Sequence, residues 1–436
     1  MEIRRLDAAN PDEVLASRQV TAVAFRTGEH YRSLLDELKQ LEKTGNTLPD
    51  PAKSDPPYTL WGAYMDNRLI AQVQGIDYQM RYENQVVSMC GIGGVATLPE
   101  YRRQGSVKEI MRHLLRDSRS RGQIFSYLYP FSYAFYGRFG YGHGCRCWHV
   151  EIPISAFRAL PETGRIKRYE TADLPAVKTV YDQFSAGMNG MVVRGAAAWS
   201  QLLDKDPYLE QRYTYLWSDD SGKTGAWMTF ETKAESGGDC LQIIDWASVS
   251  SIALRGLLAF INRFTDQYAR VKLTVPQSCD LTTLFPEPYP LAHKLGFSGQ
   301  IRVVDIKAAL AMLQRPLWLS ERFKRPDIGP YGNRVICIGV DDDFLPENSG
   351  LYHLDLNGAA NEVSFQPASP AAADAPDPAD LHVSARLLAT LLLGSQGLAD
   401  LREHPEIRFN TALTPERTVL LEAMFPRKNA AITDYF

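Results

Sequence analysis

A short basic turn, Arg102-Arg103-Gln104-Gly105-Ser106, is the segment of this sequence best suited to hold a phosphate group. It stands between a predicted strand and a predicted helix, where unpaired backbone N–H groups and the helix dipole attract anions. Gly105 would let the backbone approach a ligand closely, and the two arginines add positive charge. A pyrophosphate would fit such a turn, but a basic surface turn with a chance glycine would have the same sequence.

Aromatic residues crowd the segment that follows the predicted helix, and a phenol among them could act as a proton donor. A phenol with a pKa near 10 is protonated at neutral pH and can donate that proton. Rings of this kind belong to the core more often than to a catalytic site, so residue type alone selects none of them. The aromatic residues concerned are Tyr127, Tyr129, Phe131, Tyr133, Phe135, Tyr136, Phe139 and Tyr141.

Several other kinds of site are excluded by spacing. Neither Gly-x-x-x-x-Gly-Lys nor Gly-x-Gly-x-x-Gly occurs, which excludes both common nucleotide-binding loops. The eight histidines form no pair at ligand spacing, and Cys145-x-Cys147 lacks the spacing of a metal site, so no metal is predicted. Six cysteines are too few for a disulfide framework, which indicates free thiols in a reducing compartment.

Hydrophobic periodicity predicts the elements that must position these residues. Gln85–Thr97 is predicted to be a long strand with glycines at 91, 93 and 94, where something must approach the backbone closely. The next helix has apolar residues at i, i+3, i+4, i+7 and i+8, starting at Val107, and ends at Gly122. The strand Ile124–Tyr129 follows it.

A fainter second copy of the same order follows in the middle of the chain. It has no Arg-x-x-Gly turn, and Ala292 stands at the position matched to Tyr136. The second copy is therefore predicted to be structural, without catalysis of its own. The last third differs, with strand-like segments and three predicted helices over residues 304–313, 381–393 and 415–424.

Composition limits the class of protein and its partners. The 436 residues are 45% apolar and 22% charged, which predicts a folded protein of two to four domains. A net charge of −4 argues against nucleic acid as the main partner and suits cationic small molecules. The charged N-terminus lacks a signal-peptide core, and no apolar run approaches roughly 20 residues. We therefore expect a soluble, cytoplasmic protein with no membrane partner.

The order of strand, arginine-rich turn, amphipathic helix, aromatic strand and Phe135-Tyr136-x-x-x-Gly140-Tyr141 resembles the Gcn-related N-acetyltransferases (GNAT). With the heptapeptide Tyr-Gly-Arg-Phe-Gly-Tyr-Gly at 136–142, a third smaller domain and a terminal phenylalanine, the whole chain resembles the Eis (enhanced intracellular survival) acetyltransferases. The resemblance implies an α+β protein: tandem GNAT-like α/β domains, the second degenerate, followed by a sterol-carrier-protein-like α+β domain. The expected domain limits are 1–145, 146–298 and 299–436.

The same resemblance implies which residues form the site. Tyr136 would be the proton donor, and the C-terminal carboxylate of Phe436 would be the proton acceptor. Val107 departs from the family motif Arg/Gln-x-x-Gly-x-Gly/Ala at its last position. Acetyl-CoA, the implied co-substrate, would contact three segments: Val95, Ala96 and Thr97; Arg103, Gln104, Gly105, Ser106, Val107 and Lys108; and Phe131 and Ser132.

The implied activity is acetyl-CoA-dependent N-acetylation, in which an amine attacks the thioester directly without a covalent enzyme intermediate. Aminoglycosides are the implied substrates, and a hexamer is the implied assembly. Asp434, beside the terminus, could attract ammonium groups. Two alternatives stay open, a protein lysine or N-terminal acetyltransferase and a non-catalytic carrier of lipid or acyl groups. Since the first copy keeps both the Arg-x-x-Gly turn and the tyrosine, an enzyme is favoured over a carrier.

Overall fold

The structure, a computed structural model, describes residues 1–44, 47–315, 335–358, 360–368 and 379–436. These residues form one sheet of twelve strands and one of five, with helices packed on their faces. No helix within the described ranges is long and apolar enough to cross a membrane. The six cysteines are free thiols, five of them buried.

The large sheet has the strand order β1-β2-β3-β4-β5-β12-β6-β11-β10-β9-β8-β7. Its strands are β1 (Glu2–Arg5), β2 (Tyr58–Met65), β3 (Arg68–Tyr82), β4 (Gln85–Thr97), β5 (Phe125–Leu128), β6 (Gly142–Pro153), β7 (Arg165–Arg168), β8 (Arg212–Ser218), β9 (Thr224–Lys233), β10 (Cys240–Ser248), β11 (Arg270–Pro276) and β12 (Ala292–Val303).

The helices carry the connections between strands and cover the sheet. In the described residues they are α1 (Pro11–Phe25), α2 (Gly28–Thr44), α3 (Ser106–Ser120), α4 (Tyr133–Gly137), α5 (Leu174–Ser185), α6 (Ala196–Leu203), α7 (Pro207–Glu210), α8 (Ser251–Ala259), α9 (Ile306–Ala311), α10 (Ala385–Leu393) and α11 (Pro415–Met424).

Local sequence explains the elements around β4. The turns at Asp66-Asn67 and Glu83-Asn84 have positive φ at both residues, as two-residue hairpin turns require, and they join β2, β3 and β4 into a meander. Helix α3 buries Ile110, Met111, Leu114 and related residues of its apolar stripe against this meander. The predicted strand and helix are both confirmed.

The two halves of the large sheet exchange one strand. The order of strands in the second half is therefore the mirror image of the order in the first half. β6 leaves the first half and pairs antiparallel with β11 of the second, while β12 leaves the second half and pairs antiparallel with β5 of the first. β6 and β12 also pair with each other at the centre of the sheet. The predicted domain limits at 145/146 and 298/299 fall inside these two strands, and those limits stay a prediction.

The small sheet has the order β15-β14-β13-β16-β17 and packs against α10. The predicted helix over 381–393 is wrong for its first four residues, which form β16 because they pair in parallel with β13. The predicted loop over 367–380 lies mostly outside the described residues. The strands are β13 (Val335–Asp341), β14 (Gly350–Asp355), β15 (Glu362–Pro367), β16 (Leu381–Ser384) and β17 (Ile407–Phe409).

The glycines of the heptapeptide form the seat for this third domain. Gly140 has φ of 76° and lies against the guanidinium of Arg302, which donates to Asp342 at 2.5 Å with both side chains buried. A β-carbon at Gly142 would collide with the backbone of Arg386 at the start of α10. The motif thus fixes the third domain against the sheet, immediately beside α4.

Candidate functional site

A gap opens between β4 and β5, and the predicted pantetheine-binding residues lie along it. The two strands pair in parallel from Met89 to Ile92 of β4 and then diverge. A bulge at Gly94, with φ of 55°, bends β4 away from β5. The Leu98 N–H donates to β3 on the other side of the strand, so by alternation the N–H of Thr97 points into the gap. The gap between β4 and β5 is therefore bordered by Val95, Ala96 and Thr97.

The N-terminus of α3 is an unsatisfied anion cradle beside this gap. Gly105 is the N-cap residue of the helix, with φ of 83°, and no side chain caps the helix there. A β-carbon at Gly105 would meet open space. The backbone N–H groups of residues 103–108 donate to no acceptor in the described ranges; the first helical bond is from Glu109 to Gly105. The Ser106 hydroxyl is buried and has no partner. Orphaned donors at a helix N-terminus fit a pyrophosphate.

The other residues predicted to contact the coenzyme differ in their exposure and in their contacts. Gln104 and Lys108 are exposed on the rim, while the Val107 side chain packs on the core beneath α3, so its departure from the family motif leaves the cradle open. Phe131 is 74% exposed next to the gap. Ser132 has a structural role already, because its hydroxyl accepts a bond of 3.3 Å from the Phe135 N–H and caps α4.

Tyr136 lies on α4 inside an aromatic cluster. Its ring contacts those of Phe131, Phe135, Phe139 and Tyr141 at centroid distances of 5.0 to 6.3 Å. Its phenol has no hydrogen-bond partner among the described residues. Burial raises the pKa of Tyr136 to about 12, so the hydroxyl stays protonated at neutral pH and is free to donate.

The C-terminal residue is seated on the sheet rather than frayed. The Phe436 ring lies against Gly91 of β4, where a β-carbon would sit 2.8 Å from it. It stacks between Tyr78 at 4.6 Å, Tyr129 at 5.5 Å and Tyr127 at 6.4 Å between ring centroids. Gly91 therefore makes room for the anchor of the terminal carboxylate.

Tyr136 and the Phe436 ring lie on opposite faces of the sheet. Successive residues of a strand face opposite sides. On β4, Gly91 faces Phe436, whereas Ile92 belongs to the core cluster that contains Tyr136 and α3. The cradle and Tyr136 thus share one face, and the Phe436 ring lies on the other.

A buried ion cluster holds the C-terminal tail in this position, and sequence reasoning missed it. Arg194 is 4% exposed and pairs with Asp245 of β10 and with Asp434, each at 2.7 Å. Its guanidinium also stacks on Tyr181 at 4.3 Å and Trp199 at 5.0 Å. Asp434 is therefore committed to Arg194 rather than free to attract an amine. The three charged residues are remote in sequence, so no local pattern signals the cluster.

An acidic cavity of about 500 Å³ adjoins the tail on the Phe436 face. Asp55, Asp77, Asp245 and Asp434 line it, against two arginines. Tyr78 lies between this cavity and Phe436; burial first, then the carboxylates of Asp434 and Asp55, raise its pKa to about 12. Among the residues that the structure describes, no cluster of three or more metal-ligating side chains occurs.

The second half of the sheet has no equivalent site. Ala292 is the first residue of a strand, β12, whereas Tyr136 lies on a helix before a strand, so the predicted match between them is wrong. The glycines that suggested it differ as well: Gly140 is in a turn and Gly296 is inside β12. The second half has no Arg-x-x-Gly turn before α8, and Ser250 caps that helix instead.

Comparison with known proteins agrees with this architecture. Residues 6–144 match an acetyltransferase (GNAT) domain, residues 190–303 a second acetyltransferase (GNAT) domain, and residues 323–433 a sterol carrier protein domain. An uncharacterized N-acetyltransferase of Streptomyces coelicolor is 25% identical over 351 residues, which cover 74% of this chain and 75% of that protein. The predicted tandem fold is confirmed.

Solved structures extend the likeness of fold to the whole chain. A GCN5-related N-acetyltransferase of Anabaena variabilis has a TM-score of 0.77 at 19% identity, and Eis1 of Mycobacterium abscessus has a TM-score of 0.73 at 18% identity. Both comparisons cover 100% of this chain and 100% of the other. The chain therefore matches, in order, two acetyltransferase (GNAT) domains and a sterol carrier protein domain, and it shares the fold of these solved structures.

Proposed function

We propose that the protein acetylates amines of cationic small molecules such as aminoglycosides, with acetyl-CoA as donor. The two regions that match acetyltransferase domains support an acyltransferase rather than a non-catalytic carrier. The observation that carries the proposal is the seat of the Phe436 ring against Gly91, on the face of the sheet opposite the buried phenol of Tyr136 and beside a cavity lined by four aspartates.

The α3 face would hold the coenzyme. The free N–H groups of residues 103–108 and the Ser106 hydroxyl would bind the pyrophosphate, with Arg103 and Lys108 adding charge at the rim. Pantetheine is an extended chain of amides, so it would pair with the open edge of β4 at Val95–Thr97 as a peptide does. Its thioester would then reach the gap, where the free β4 amides would polarise the carbonyl.

The amine would come from the Phe436 face. Amines have pKa values around 10 and must lose a proton before they attack. The carboxylate of Phe436 would accept that proton as the new C–N bond forms, and Tyr136 would give its proton to the thiolate as the C–S bond breaks. Acid and base are separated by the sheet, so neither neutralises the other before the reaction.

The acidic cavity supports a substrate with several amines. Arg194 is already compensated by Asp245 and Asp434, and the Asp55 carboxylate has no ion pair among the described residues, accepting only the Ala197 N–H at 2.8 Å. A polyamine could therefore place a further ammonium group near Asp55 while one amine reacts, whereas Asp77 is already paired with Arg121 at 2.6 Å. The hexamer and the cytoplasmic location implied by the resemblance stay predictions.

The decisive experiment offers acetyl-CoA with three panels: aminoglycosides, lysine peptides and free-N-terminus peptides. Thiol release is followed by absorbance, and products are identified by mass. We expect release with aminoglycosides and little with peptides. Turnover of peptides alone would replace this proposal with protein acetylation, and no turnover in any panel would reject both.

A further inference from the structure

A small cationic cavity lies where β6, the loop after β11, the loop after α10 and the C-terminal tail meet. Its volume is about 150 Å³, several times the roughly 30 Å³ occupied by one water. The lining residues are Arg146, Gln277, Ser278, Ser395, Arg427, Lys428, Asn429 and Ala430. Three of these eight are cations, and none is an acid.

The charges around this cavity do not balance. Arg427 is paired with Asp400 at 2.7 Å, and Lys428 is paired with the buried Glu83. Arg146 has no ion pair, and its guanidinium donates to no acceptor among the described residues; it only lies over the Phe297 ring at 5.7 Å. After the two pairs are counted, the positive charge of Arg146 remains.

Two buried donors face this cavity without an acceptor. The Arg146 Nε is buried and unpartnered, and so is the hydroxyl of Ser395, a residue that is 4% exposed. Burial, followed by the nearby charge of Arg427, lowers the pKa of Arg146, with Asp400 opposing the shift. A buried donor without a partner costs free energy. Since Arg146 also has no ion pair, a ligand that accepts hydrogen bonds and carries negative charge would suit both donors.

We propose that this cavity binds a phosphate-sized oxyanion, held by the Arg146 guanidinium and the Ser395 hydroxyl. Planar guanidinium groups match the oxygens of phosphate, and the resulting charge-assisted bonds are short and strong. Arg427 contributes charge from the rim while it remains paired with Asp400. Since the lining joins β6 to tail residues 427–430, the anion stabilises the docking of the tail.

Titration with inorganic phosphate, followed by calorimetry in chloride-free buffer of low ionic strength, tests the site. The α3 cradle also binds phosphate, so the titration is repeated in Gly105→Asp, which blocks that cradle. Arg146→Met and Ser395→Ala should weaken the phosphate binding that survives Gly105→Asp, the former by about ten- to hundredfold. Arg158→Met is the matched control, because it removes an exposed arginine elsewhere in the second half.

Thermal melting gives a second readout with a distinctive sign. In buffer without phosphate, Arg146→Met should melt at or above the temperature of the parent, because it removes an uncompensated charge. Phosphate should raise the melting temperature of the parent and of Arg158→Met but not of Arg146→Met. If Arg146→Met does not fold, Ser395→Ala supplies the comparison.

The outcomes separate clearly. Phosphate binding that survives Gly105→Asp and is lost in Arg146→Met supports the site. Binding that disappears in Gly105→Asp alone, or that is unchanged in both Arg146→Met and Ser395→Ala, overturns it. Glycerol 3-phosphate, titrated in parallel, distinguishes two sources of the ligand: if it competes with phosphate, the site accepts phosphate esters, and if it does not, the site takes the free ion.

Discussion

The two halves of the large sheet share one topology, but the N-terminus of the helix is uncapped in the first half and capped in the second. In the first half, the N-cap residue of α3 is Gly105, which provides no side-chain cap, and the N–H groups of residues 103–108 have no acceptor among the residues that the structure describes. In the second half, the Ser250 hydroxyl caps α8 by accepting from the Ala253 N–H at 3.1 Å. A site that binds an anion must leave its own donors unsatisfied, and a cap abolishes it.

The gaps between strands differ in the same way. Val95 and Ala96 follow the last β4–β5 pair by three and four residues and leave an open edge. The residues at the same distance beyond the last β10–β11 pair are Asp245 and Trp246. The Trp246 indole donates to the Thr274 carbonyl of β11 at 3.0 Å and closes the gap. Asp245 instead holds Arg194, so the second half anchors the tail that serves the first.

The first prediction has the largest expected effect and displaces the C-terminal carboxylate. One glycine added after Phe436 keeps every side chain but shifts the carboxylate by up to about 3.6 Å. We expect turnover to fall about 10²- to 10⁴-fold with unchanged coenzyme affinity, since a general base must be within hydrogen-bond reach. Steady-state kinetics measures this, with one glycine added before Met1 as control. Full activity of the extended tail would refute the assigned role of Phe436.

The second prediction removes the acid from the opposite face. Tyr136→Phe keeps the ring packing and should lower kcat by about 10²- to 10⁴-fold with little change in the KM for acetyl-CoA. Tyr141→Phe is the matched control in the same cluster. Its phenol bonds to Ser126 at 2.7 Å, so it should lose about 1 kcal/mol of stability and keep its activity. Equal activity losses in both variants would indicate a packing defect instead.

The pH dependence of the parent protein's rate tests the same role of Tyr136. Burial opposes ionisation of Tyr136 and raises its pKa to about 12, so the donor form is present at all lower pH values. The rate should therefore show no fall from loss of this proton until the pH approaches about 12. A basic limb near pH 10 that disappears in Tyr136→Phe would contradict the burial of the phenol.

The third prediction concerns the anchor that the second half supplies. Arg194→Met leaves Asp245 and Asp434 buried without their partner, a change that costs about 3–5 kcal/mol in comparable buried pairs. Stability should fall, and kcat should fall with it as the tail loosens. Chemical denaturation and kinetics measure both, and adding Asp245→Asn should restore part of the stability. Arg263→Met, in an exposed pair with Glu162, should change stability by less than about 0.5 kcal/mol.

The smallest effect compares the two helix caps directly. Ser250→Ala should cost about 1 kcal/mol of stability and leave the KM for acetyl-CoA unchanged, because that cap serves only the fold. Gly105→Asp should raise that KM, since it places a side chain and a negative charge where phosphate would bind, and its positive φ adds about 1–2 kcal/mol of strain. If Ser250→Ala altered the coenzyme KM as Gly105→Asp does, the contrast between the halves would fail.

Sequence patterns predicted the local elements well and the long-range geometry poorly. The alternation of β4, the stripe of α3 and the turn residues at 66–67 are local signals, and the elements form where predicted. The exchange of β6 and β12 was not predictable, because periodicity identifies a strand but not the edge on which it pairs. Ala292 was misplaced for that reason. The seat of Phe436 depends on Gly91, and only the family resemblance pointed to the terminus at all.

The exchanged strands also set the order in which this chain can fold during synthesis. The four buried residues of β5 pair with β4 on one edge, but on the other edge they pair only with Gln300–Val303. At about 5–20 residues per second, a ribosome takes roughly 10 to 35 seconds to make the chain between these strands. Throughout that interval the first half has an unpaired edge that favours aggregation. The nascent chain should therefore depend on chaperones until β12 is made, even though its first 128 residues already hold the whole coenzyme cradle.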